Sequence, residues 1–116
     1  MVVNLAMKQY VVDELRVGDH SIIKAYLDEK LGVSDVSGLY KLPIDPDMLT
    51  ELQRAHTRCR PLYFSIDLEP DRMACEFLIR TDNTMRCDCM RYATQEQRNW
   101  LIQFTDTMLD QLEIAI

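Results

Sequence analysis

The chain has 116 residues, three Gly, four Pro and a hydrophobic fraction of 47%. That suits one globular core and leaves little material for linkers, repeats or disordered tracts. Its formal net charge of -6 and pI near 4.8 disfavour nucleic acid and anionic lipid as partners, unless a compact basic patch overrides the field of the whole molecule. The opening residues lack the basic and apolar segments of an export signal, and no stretch approaches the ~18 apolar residues of a membrane span. The expectation is one cytoplasmic domain over residues 1–116, with no membrane contact and with free thiols.

In chain order, Gln9, Tyr10, Val11 and Val12 read as a short strand. Asp19 then precedes Ile22, Ile23, Tyr26, Leu27 and Leu31, a one-sided stripe that predicts a helix over about 19–31, closed by Gly32. Leu39 to Leu42 reads as a second short extended piece that Pro43 ends or confines to a sheet edge. Asp45, Pro46 and Asp47 form a helix start, and Met48, Leu49, Leu52, Ala55 and His56 continue it to about 58.

From Leu62 the hydrophobic period changes to two. Leu62, Phe64, Ile66 and Leu68 alternate with polar or amphipathic neighbours. After a turn at Pro70, the residues Met73, Cys75, Phe77 and Ile79 form the same face of a second strand, in a register that sets Leu68 against Met73 and Phe64 against Phe77. A third strand is expected over about 85–92, its register left open by the loop length. Thr94 and Gln97 then form a capping box that opens a helix over about 95–113. The expected fold is α+β: a three-stranded antiparallel meander over about 62–92 packed by the C-terminal helix, with two further helices and one or two short N-terminal strands.

No calcium loop, zinc-protease, nucleophile-elbow, phosphate-loop or dinucleotide motif is present, and no catalytic residue is assigned. The chain is not expected to be an enzyme, and no cofactor is expected. The cysteines fall in the pattern C-x15-C-x11-C-x-C, which reads first as buried core thiols. The alternative is a metal or redox site drawing on Cys59, Cys75, Cys87 and Cys89, centred on the last three, with His56 or Cys59 as a fourth ligand. His56 and Cys59 have H-x2-C spacing, but a second matched pair is lacking. His20 reads as a surface or capping residue. Arg72, Arg80, Arg86 and Arg91 are expected to pair with Glu76, Asp88 and their neighbours or to face water.

The last helix carries two stripes. Trp100, Leu101, Phe104, Met108 and Leu112 form one; Ile102, Leu109 and Ile116 recur every seven residues on another side. Either the helix is buried on two sides or a partner chain covers the second, and the partner is the favoured expectation, with a homodimer as its commonest form. The meander and following helix, over about 62–113, resemble in architecture the small acidic secretion-chaperone and YbjN-like domains. The two helices before the meander depart from their usual order. The resemblance implies stoichiometric binding of a partner segment, so the expected function is a non-enzymatic protein-binding or adaptor domain.

Overall fold

The structure, a computed structural model, describes residues 8–83 and 87–115. It is α+β. One antiparallel sheet has the order β1-β4-β3-β2, built from β1 (Gln9–Val12), β2 (Leu39–Pro43), β3 (Tyr63–Leu68) and β4 (Met73–Arg80). Helices α1 (Val17–Leu31) and α3 (Gln95–Gln111) cover one face, and a short helix, α2 (Glu51–Ala55), lies between β2 and β3 in the chain.

The period-two pattern sets which face is covered. Tyr40, Leu42, Phe64, Ile66, Leu68, Met73, Cys75, Phe77 and Ile79 are all buried. Two tyrosines tie the helices down: Tyr40 donates to Asp28 of α1 at 2.6 Å and Tyr10 to Asp106 of α3 at 2.8 Å. Burial and the adjoining carboxylates push both phenols up to about 12. Phe64 stacks on Trp100 and Trp100 on Phe104, with centroids 6.1 and 6.4 Å apart.

The β3–β4 register agrees with expectation at one end only. Leu68 faces Met73, but Phe64 faces Ile79 instead of Phe77, because the ladder shifts between Phe64 and Ile66. The shift is even, so Cys75, Phe77 and Ile79 stay on the core face. Gly38, at φ 87°, precedes β2; a Cβ there would lie 2.6 Å from the Leu68 carbonyl oxygen, an approach only glycine permits.

Three expectations need correction. The helix over 46–58 is instead a 3-10 turn at Pro46–Met48, α2, and a second 3-10 turn at Thr57–Cys59. Asp45 and Thr50 each cap a separate start, so the chain re-initiates where one long helix was expected. α1 begins at Val17, with Arg16 as N-cap and the Asp19 carboxylate accepting from its backbone N–H. The third meander strand is not formed by residues 87–91; residues 84–86 lie outside the described residues. β1 occupies the free edge of β4 from Met73 to Glu76. The returning chain therefore meets only the far end, at a single Leu78–Tyr92 bridge. With that strand missing, the architectural likeness to secretion-chaperone domains loses its main element.

The wide apolar arc of α3 has an internal explanation. Its deepest line is Leu101, Thr105 and Met108, with Leu109 also buried. Thr105 disguises this line in the sequence, because its hydroxyl bonds the Leu101 carbonyl. Leu109 is 1% exposed within the single chain, so it is not available to a partner surface. Ile102 packs partly buried against the same core, and Ile116 lies outside the described residues. Among the described residues, no helix is long and apolar enough to cross a membrane.

Candidate metal centre

Two short segments far apart in the chain meet beyond the C-terminal half of β4. The first runs from the end of α2 through the 3-10 turn and carries His56 and Cys59. The second is a tight turn carrying Cys87 and Cys89, closed by the Met90 N–H donating to the Cys87 carbonyl at 3.0 Å. The imidazole nitrogen and three sulfurs of His56, Cys59, Cys87 and Cys89 all lie within 4.8 Å of one another.

The Cys87 sulfur is the hub. His56 Nδ1 lies 2.9 Å from it, Cys59 Sγ 3.0 Å and Cys89 Sγ 2.7 Å. The Cys89 backbone N–H also points at it, at 3.5 Å. Hydrogen bonds from Cys59 and Cys89 hold the Cys87 thiol down to about 6. Cys89 moves the opposite way, pushed up by burial and by donating to its neighbours. In the absence of a cation the cluster thus favours a single thiolate, because further negative charges at this spacing repel.

The donor set fits a soft divalent cation. Three sulfurs and one imidazole nitrogen are a zinc ligand set, and metal–sulfur bonds of about 2.3 Å imply sulfur–sulfur edges of about 3.8 Å in a tetrahedron. Cys87 stands closer than that to both other sulfurs, so seating a metal spreads those two contacts by about an ångström. Four protein ligands complete the coordination and leave no position for substrate. Cys59 and Cys89 are buried while His56 and Cys87 are half-buried, so the cluster opens to solvent on one side.

Polar groups, most of them buried, pin both segments. Gln53 Nε2 donates to the Cys89 carbonyl at 3.1 Å, and Gln97 Nε2 donates to Gln53 Oε1 at 2.9 Å. Both glutamines also serve as the third residue of a capping box, with Thr50 and Thr94. Thr81 donates to the Cys59 carbonyl and Asn83 to the Arg60 carbonyl. Such outer contacts orient ligands.

The structure thus joins His56, Cys59, Cys87 and Cys89 and separates Cys75 from them. Cys75 lies on the core face of β4 between Tyr10 and Ile66, with its sulfur 3.6 Å from the Thr105 hydroxyl. Burial pushes its thiol up to about 11. Its inclusion in the ligand set followed from a third strand running beside β4; the turn at 87–90 takes Cys87 and Cys89 to a different partner. Sequence marks Gln97 only as a helix-capping residue and gives Gln53 and Thr81 no role at the site; the second Thr-x-x-Gln box, Thr50 to Gln53, is the signal that points to Gln53. Arg72 and Arg80 pair with Glu69 and Glu76, and Arg86 lies outside the described residues.

Comparison of the chain with known protein families, curated proteins and solved structures finds no match.

Proposed function

We propose that this chain is a non-enzymatic zinc-binding domain in which His56, Cys59, Cys87 and Cys89 hold one structural ion. The supporting observation is the convergence of four ligand atoms, from segments about thirty residues apart, within 4.8 Å. An accidental cluster of core thiols has no need of an imidazole, a backbone N–H on sulfur, or a buried amide and a buried hydroxyl fixing the Cys89 and Cys59 carbonyls. Bound zinc would cross-link the segment after α2 to the turn after β4 and so close the fold at that end. The complete ligand set favours a structural ion over a catalytic one. The reduced thiols it needs fit a reducing compartment such as the cytoplasm.

Native and denaturing mass spectrometry of protein purified without chelator, with elemental analysis, tests this reading. One zinc per chain that disappears in Cys87→Ser is the expected result. A folded wild-type protein that carries no zinc and takes up neither Zn²⁺ nor Co²⁺ would overturn it.

A second reading, a protein-binding adaptor, draws on the sheet face opposite the helices, where Val11 and Leu39 are exposed. The two readings are compatible, since a structural metal stiffens a scaffold that presents a surface. Light scattering across a concentration series tests the homodimer component: a mass of two chains supports it, and a single-chain mass at every concentration rejects it.

A further inference from the structure

The charge of the molecule is unevenly placed. Residues 54–60 contain Arg54, Arg58 and Arg60 and no acidic residue, in a chain of formal net charge -6. All three arginines are exposed. None takes part in the ion pairs found among the described residues, which engage Lys24, Lys41, Arg72 and Arg80. Arg60 Nη2 donates to the Arg54 carbonyl at 3.2 Å, and Arg54 Nη2 to the Asp47 carbonyl at 2.9 Å. These bonds to neutral carbonyls fix the side chains without neutralising them. The molecule extends 42 × 35 × 22 Å, and charges separated by more than the Debye length of about 8 Å at physiological salt are largely screened. Distant carboxylates therefore weigh little on the patch; its near acidic neighbours are Asp47 and Glu51, both beside Arg54.

Arg60 also stands at the lip of an apolar cleft of about 430 Å³ lined by Pro43, Ile44, Pro46, Leu49, Pro61 and Leu62. Its wall is stiff: the Ile44 N–H donates to the Leu62 carbonyl at 3.0 Å, and Ile44, Leu49 and Leu62 are rooted in the core. Arg60 is the sole charged residue lining it. Asp45 and Asp47 flank Pro46 in the chain, and Arg54 reaches the Asp47 carbonyl, so the guanidiniums set apart from these carboxylates in the sequence are those of Arg58 and Arg60.

We propose that this cleft and the adjoining arginines bind an acidic peptide segment of a partner protein, one apolar side chain seated among the prolines and its flanking carboxylates on Arg58 and Arg60. Guanidinium matches carboxylate in planar, two-pronged fashion, and an apolar anchor ringed by charge is how compact peptide sites concentrate affinity. A nucleobase fits the same cleft less well, because its polar edges would be buried against an apolar lining with no hydrogen-bonding partner beyond Arg60. The charge asymmetry sets direction: the acidic residues of the peptide lie toward Arg58 and Arg60, away from Asp45 and Asp47.

The test is fluorescence anisotropy of the full chain, zinc content measured on each sample, with a short labelled aspartate-rich peptide carrying one central phenylalanine. The expected result is saturable binding that weakens with salt. Affinity should fall about tenfold or more when the peptide phenylalanine becomes serine, and by a similar factor in Arg58→Glu and Arg60→Glu proteins of unchanged zinc content. The serine peptide needs no protein variant, so a folding defect in Arg60→Glu leaves that comparison intact. No binding, binding indifferent to phenylalanine or to both arginines, or tighter binding of a single-stranded oligonucleotide that the same variants abolish would overturn the proposal. Because zinc is measured on the same samples, loss of the peptide site and loss of the metal site are separately visible.

Discussion

Cys75 and Cys87 belong to the same chain and meet opposite fates. Cys75 sits in the half of β4 that β1 and β3 flank and α3 covers; burial pushes its thiol up to about 11. Cys87 sits in the turn beyond the other half, where two thiols, a backbone N–H and an imidazole converge on it and its thiol is held down to about 6. The difference lies in donors. A buried sulfur with a single hydroxyl beside it keeps its proton, whereas one that collects several donors gives it up. One end of the sheet is thus an ordinary core and the other a ligand set.

The most severe way to break the comparison is Cys87→Ser, which removes the hub. Zinc content should fall from one per chain to background, and the thermal transition should drop sharply, because binding free energy of a structural metal is folding free energy. Cys75→Ala should retain full zinc and lose about 1–3 kcal/mol in denaturant unfolding, the cost of a small cavity in a packed core. Zinc retained in Cys87→Ser, or lost in a folded Cys75→Ala, would reverse the assignment. Gln97→Ala lies between these in kind. It leaves Gln53 without one partner beneath the Cys89 carbonyl, and zinc affinity measured by chelator competition should weaken by about 10–100-fold.

The two thiols also differ in pH dependence. In metal-free, reduced protein, Cys87 should alkylate with a rate that rises through about pH 6, while Cys75 stays unreactive until the chain unfolds. Peptide mapping after a timed iodoacetamide pulse reads both. Because the folded state holds the Cys87 proton less tightly than the ordinary value of 9.0, its contribution to stability is fully present above about pH 9 and is lost as pH falls through about 6. Zinc should protect Cys87 from alkylation and leave Cys75 unchanged.

Much of the fold was legible because it is written in local pattern. The period-two runs from Leu62 and Met73, the Leu31–Gly32 stop and the Thr94–Gln97 box each specify structure within a few residues. What was not legible depended on competition for an edge. The segment from Cys87 to Tyr92 has the alternation of a strand, but β1 already occupies the Met73–Glu76 half of the β4 edge, and nothing local to 85–92 announces it. The same fact decided the site. With a third strand, Cys75 is a neighbour of Cys87 and Cys89; with a turn, His56 and Cys59 are. The His-x2-Cys spacing was visible, and its partner pair was hidden because Cys-x-Cys alternates like a strand.

Zinc X-ray absorption of the purified protein tests the proposed three-sulfur, one-nitrogen centre most directly. The expected first shell is three sulfurs at about 2.3 Å and one nitrogen at about 2.0–2.1 Å, with one sulfur fewer in any zinc retained by Cys89→Ser. A shell of nitrogen and oxygen only would contradict it.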